Sequence, residues 1–124
     1  MILDTNALSA FVEGLAGIQS HVEREIASVP AIVLGEYRFG ISQSRRRRAY
    51  DQWLIENLPD FELLSVDERT AVQYAEIRLE LKTAGTPIPV NDLWIAALCR
   101  QHALPILSQD RHFDLVKGVR RVGW

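Results

Sequence analysis

The chain opens on an apolar pair, Ile2 and Leu3, followed at once by three polar residues, Asp4, Thr5 and Asn6. Leu8, Phe11, Val12 and Leu15 then recur at i, i+3, i+4 and i+7, which predicts an amphipathic helix over residues 7–16. Gly14 and Gly17 mark its end. Ile18, Val22 and Ile26 repeat the helical spacing until Pro30 interrupts it. A short strand is expected over residues 31–33, ahead of a helical stretch through GEYRFGIS. Tyr50, Trp53, Leu54 and Leu58 form a third stripe, stopped by Pro59. FELLSV is a β-compatible run, and Asp67 is placed to cap a helix that continues to Ala84. Beyond the loop GTPIP, residues 92–102 are apolar on several sides (Leu93, Trp94, Ile95, Leu98, Cys99), as in a deeply buried helix. LPIL reads as a strand and the closing RRVGW as a last short one.

Short apolar strands alternating with helices point to an α/β fold with a mostly parallel sheet. MIL and PIL lack polar alternation, which suits strands covered on both faces. No repeat, low-complexity tract or linker divides the 124 residues, so a single domain over 1–124 is expected. A hydrophobic content of 48% lies well above the disordered range. No apolar run approaches the ~20 residues of a membrane span, and no secretory signal is visible. Cys99 is the one cysteine, so no intrachain disulfide can form and a reducing, cytoplasmic setting is the default expectation. The net charge of −2 does not announce a nucleic-acid binder, yet Arg45, Arg46, Arg47 and Arg48 form a continuous basic run.

Four acidic residues stand beside apolar sequence instead of on solvated helix faces. Asp4 ends the first strand, Glu36 lies in the helix after AIV, Asp92 opens the buried helix, and Asp110 follows LPIL within LSQD. In a parallel sheet, strand C-termini and the helices that follow them share one edge, where ligands bind. Each carboxylate has a structural alternative: Asp4 or Asn6 as a helix cap, Asp92 at a helix N-terminus, Asp110 in a turn, Glu36 on a helix surface. Four independent caps, however, have no reason to converge on one edge. Two carboxylates ~5 Å apart repel by roughly 3 kcal/mol at an effective dielectric of ~20, a cost that a cation removes. Oxygen-only ligands suit Mg²⁺ or Mn²⁺. Zinc is disfavoured, because His21, His102 and His112 show no paired ligand spacing and Cys99 lies mid-helix. Such a site would serve phosphodiester hydrolysis, with Thr5, Asn6 and Ser108 orienting carboxylates or bound waters.

MILDTNALSAF, followed by GEYRFG, NDLWIAAL and LSQDRHF, resembles a PIN domain of the VapC toxin type. Each motif is short, but their order and spacing extend from Met1 nearly to the C-terminus. The resemblance implies a parallel sheet sandwiched between helices and a metal-binding, catalytic quartet of Asp4, Glu36, Asp92 and Asp110. It also implies RNA cleavage with Mg²⁺ or Mn²⁺ that blocks translation, inhibition by a cognate antitoxin protein, and a homodimer. Asn6 and Ser108 would support the site; Thr is commoner at the latter position, and the hydroxyl is retained. The same chemistry would also serve a structure-specific DNA nuclease. A Mg²⁺-dependent phosphatase is a further alternative, against which this sequence shows no phosphate-cradling glycine loop and no evident nucleophile pairing. A non-catalytic RNA- or protein-binding module would have no use for a complete quartet.

Several other features have two readings. The run Arg45–Arg48 could contact RNA phosphates or an acidic antitoxin segment, because four cations sit poorly at a helix N-terminus. Trp94 is expected in the core, while Trp53 and Trp124 are expected to pack against the domain more than to stack on bases. Gly40, one turn after Glu36, is expected to permit close helix packing. Asp114 is read as a turn residue, and Glu76 and Glu80 as surface charge.

Overall fold

The computed structural model describes residues 1–124. Along the chain, β1 (Ile2–Leu3) leads into α1 (Thr5–Val12) and α2 (Ala16–Arg24), then β2 (Ser28–Pro30), α3 (Ala31–Ser42) and α4 (Arg47–Asn57). A 3-10 turn at Leu58–Asp60 precedes β3 (Glu62–Leu64), followed by α5 (Glu68–Ala84), α6 (Val90–His102) and β4 (Ile106–Leu107). A second 3-10 turn, Arg111–Leu115, leads to β5 (Arg121–Val122). All five strands are parallel, in the order β3-β2-β1-β4-β5. The chain builds outward from β1 to β3 and then returns to β4 on the other side. The sheet's topological switch point therefore lies between β1 and β4, whose register pairs Ile2 with Ile106 and Leu3 with Leu107.

Successive strand residues face opposite sides of a sheet, and all four of these residues are fully buried, so the central strands are covered on both faces. The outer strand β3 shows the contrast, with Leu63 at its edge 54% exposed. α6 contributes the unbroken buried run Ile95–Cys99 and packs along α5. The start of α5 is fixed by Asp67, whose carboxylate accepts from the backbone of Thr70 in a capping box. Its end is fixed by Gly85 in the left-handed conformation.

Three boundaries depart from the pattern reading. The second strand occupies Ser28–Pro30, and residues 31–33 are the first turn of α3 instead. Proline has no N–H to donate, so Pro30 closes the strand and serves as the N-cap residue of α3, where a missing donor costs nothing. Ile26 does not continue the stripe of α2, which ends at Arg24; it lies in the connection and is 74% exposed. The first helix ends at Val12, earlier than the pattern indicates, ahead of Gly14 at φ 73°.

Candidate active site

The carboxyl edge of the sheet is built by the residues that leave β1 and β4. Asp4 follows β1 in extended conformation and caps α1: its Oδ1 accepts from the backbone N–H of Ala7 at 2.7 Å. Its Oδ2 accepts from the hydroxyl of Ser108, the residue that leaves β4. Both residues are buried. Capping and site formation thus coexist at Asp4. Ser108 Oγ also accepts from the backbone N–H of Asp110 at 2.9 Å, so one hydroxyl sets the positions of two carboxylates.

Glu36 reaches the same edge from α3, where its Oε1 accepts from Thr5 Oγ1 at 3.3 Å. Thr5 adjoins Asp4, so this bond links the Glu36 side chain to the exit of β1, while α3 itself packs on α1 and α6. Asp92 stands in the first turn of α6. Burial pushes the Asp4 carboxyl above its ordinary range; the charges of Asp110 and Asp92 add to this, against the bonds from Ser108 and Ala7. Burial likewise raises Asp92, whose hydrogen bond from His112 opposes the shift while Asp110 and Glu36 reinforce it. All four residues singled out in the sequence therefore share one electrostatic field.

His112 belongs with them, although the spacing of the histidines did not single it out. Its Nδ1 lies 3.1 Å from Asp92 Oδ2 and 3.0 Å from Asp110 Oδ1. Ligand-type atoms of the three residues all fall within 4.8 Å of one another. The hydrogen bond to Asp92 is the main reason the imidazole is more basic than usual. The usable signal in the sequence was proximity to Asp110: the 3-10 turn at Arg111–Leu115, anchored by buried Phe113, folds His112 back over that carboxylate.

As a donor set, Asp4, Glu36, Asp92 and Asp110 present only carboxylate oxygens. Burial first, and then the neighbouring carboxylate charges, disfavour the ionised forms of Asp4 and Asp92, and a hard divalent cation relieves both effects. The residues present fit such an ion. His112 adds one nitrogen donor beside Asp92 and Asp110.

A cleft of about 260 Å³ opens beside Glu36, lined by Thr5, Asn6, Ser9, Glu13, Ser44 and Tyr50 among others. Asn6 is exposed there and is not hydrogen-bonded to the carboxylates. Gly40 does not serve close helix packing: a Cβ built on it would meet nothing within 4 Å, and it lines this cleft instead. A cavity of about 430 Å³ between Phe11, Ile26, Ala27 and Phe61 lies at the opposite edge, where β2 and β3 begin, remote from the carboxylates.

The remaining candidates divide clearly. Arg47 pairs with Asp51, and Arg46 lies against Glu13 and Tyr50. Trp94 is half-buried rather than in the core and stacks on Tyr74 at 3.9 Å between ring centroids. Trp53 packs edge-on against Phe11, and Trp124 packs against the core. Asp114 is held by both donors of the Arg121 fork. Glu80 is held in the same way by Arg100.

Residues 1–119 match the family model of the PIN domain. Over 123 residues the chain is 31% identical to ribonuclease VapC5 of Mycobacterium tuberculosis, spanning 98% of this chain and 90% of that protein. It is 30% identical over 122 residues to toxin FitB of Neisseria gonorrhoeae, spanning 89% and 87%. Among solved structures, the VapBC-5 toxin–antitoxin complex of M. tuberculosis contains a chain that matches with a TM-score of 0.75 at 30% identity, over 99% of this chain and 97% of that one. A chain of the DNA-bound VapBC2 of Rickettsia felis matches at 0.89 with 22% identity, over 99% and 97%, a likeness of fold.

Proposed function

The chain belongs to the PIN-domain family, and from that premise we propose that it is a divalent-metal-dependent endoribonuclease, the toxin of a toxin–antitoxin pair. In this reading it acts on cytoplasmic RNA as one domain over 1–124 and pairs with a second copy and with an antitoxin protein. The observation that supports the reading most is the acidic edge near the switch point, where the charges of Asp110 and Asp92 act on Asp4 and those of Asp110 and Glu36 act on Asp92. Relatives at 30–31% identity are a ribonuclease and a toxin, and one solved relative is a toxin–antitoxin complex.

The four carboxylates would hold Mg²⁺ or Mn²⁺. Such an ion would supply Lewis-acid polarisation of a phosphoryl oxygen and would lower the pKa of water, so that hydroxide is available as the nucleophile. The chain's own residues set the geometry. Ser108 and the N-terminus of α1 orient Asp4, Thr5 orients Glu36, and His112 spaces Asp92 from Asp110. The cleft beside Glu36 gives a nucleic-acid strand access to this edge.

The test is cleavage of total cellular RNA by the purified chain, freed of any partner, with Mg²⁺ or Mn²⁺, with chelator, and with Asp92→Asn. Discrete, metal-dependent fragments that vanish in the variant are expected. A folded chain that binds Mn²⁺ yet cuts only DNA would overturn the ribonuclease reading in favour of a DNA nuclease.

A further inference from the structure

One arginine of the basic run differs from its neighbours in what holds it. Arg46 precedes α4, and its guanidinium lies 5.0 Å from the centroid of the Tyr50 ring and 3.8 Å from a Glu13 carboxylate oxygen. The Tyr50 hydroxyl donates to the other oxygen of Glu13. Ser44 accepts from the Arg46 backbone N–H at 3.1 Å, which fixes the turn. Glu13, Tyr50 and Ser44 are all walls of the 260 Å³ cleft whose other end is Thr5 and Glu36. The run therefore delivers one cation to the far end of a polar cleft that starts at the carboxylates.

Its dimensions and lining fit one nucleotide. The volume is close to the lower end of ligand pockets, about 300 Å³. Eight residues of helix separate Thr5 from Glu13, about 12 Å at 1.5 Å per residue, which leaves room for one base and sugar between the site and Arg46. Asn6 and Ser9 line the same wall with side chains that can both donate and accept. The Arg46–Glu13 pair is exposed, 66% and 42% on the two side chains, so the guanidinium can transfer to a phosphate at little cost.

We propose that this cleft is the subsite for the RNA nucleotide flanking the scissile phosphate, with Arg46 on the adjoining phosphate and Asn6 and Ser9 reading the base edge. The proposal rests on the ribonuclease reading above. Single-stranded RNA is favoured over a protein segment because the cleft pairs a wall that can both donate and accept, Asn6 and Ser9, with a cation at its far end, Arg46, the combination that meets a base edge and the adjoining phosphate.

The test uses the full chain and a pool of single-stranded oligoribonucleotides, with cleavage positions sequenced and KM measured against salt. Arg46→Gln should raise KM, leave kcat near wild type, and reduce the slope of log KM against log salt by about 0.7, the value for one lost phosphate contact on a single strand. Arg46→Lys should restore the slope. Ser9→Ala should flatten the base preference at one position beside the cut. Arg24→Gln, at the opposite edge of the molecule, controls for net charge and should match wild type. If the wild type cleaves but Arg46→Gln behaves as Arg24→Gln does and Ser9→Ala keeps the wild-type preference, the subsite is refuted and the nuclease stands. A folded wild type that cuts no RNA in the pool, and none in the cellular RNA, removes both.

Discussion

The hydroxyl of Ser108 donates to the carboxylate of Asp4, joining residues 104 positions apart. The bond ties the exit of β4 to the exit of β1, across the switch point of the sheet. Ser108→Ala leaves Asp4 buried with one oxygen unpaired, and it removes the acceptor for the Asp110 N–H. A loss of about 1–3 kcal/mol in urea unfolding is expected, along with Mn²⁺ affinity weaker by about tenfold or more in calorimetry. Ser108→Thr keeps the hydroxyl and should preserve both.

Asp4 carries two roles that a single substitution can separate. Asparagine caps helices as well as aspartate does, and the Ser108 hydroxyl can turn to accept from its amide. In chelator at neutral pH, Asp4→Asn should therefore be at least as stable as wild type, because it also removes repulsion from Asp110 and Asp92. Asp4→Ala should lose about 1 kcal/mol through the cap alone. Neither variant should cleave RNA, so a chelator-dependent melt beside an RNA assay distinguishes cap from ligand.

Asp4 and Asp92 lie above their ordinary 3.8, and His112 above its ordinary 6.5. Folding thus favours the protonated form of all three. Their stabilising contribution is complete below the unfolded values and is lost as pH rises through the folded ones. In chelator, these groups should make Tm fall as pH rises above 3.8 for the two carboxylates and above 6.5 for the imidazole. Mn²⁺ should flatten that slope by compensating the ionised carboxylates. His112→Gln should remove the upper part of it, modestly, because the imidazole side chain is 46% exposed and screened by solvent. A slope in chelator that rises with pH would contradict this picture.

Cys99 is fully buried in α6, and burial pushes its thiol up to about 12. The thiolate needed for alkylation is absent from the native chain near neutral pH. Iodoacetamide should label it only at the rate of unfolding, which makes mass-detected labelling a check on whether each variant is folded.

Pattern alone made the α/β class, the parallel sheet and the four carboxylates legible. Ile2–Leu3 and Ile106–Leu107 are apolar at consecutive positions, and only a strand covered on both faces has a use for that. Asp4, Glu36, Asp92 and Asp110 were visible because each interrupts apolar sequence at the end of a strand or near the start of a helix. Pairing and side-chain packing, which are non-local, decided the rest. The run SVPAIV is strand-like throughout, and the choice of Ser28–Pro30 came from hydrogen bonding to β1 and β3 together with the missing N–H of Pro30. His112 has no periodic partner in the sequence; it meets Asp92, 20 positions away, because the 3-10 turn after β4 closes over the start of α6. Gly40 looked like a packing residue, yet the neighbouring helix does not approach it, and no local pattern encodes where a helix leaves space. Periodicity records which face of an element is buried, whereas the identity of what lies opposite depends on how distant segments meet.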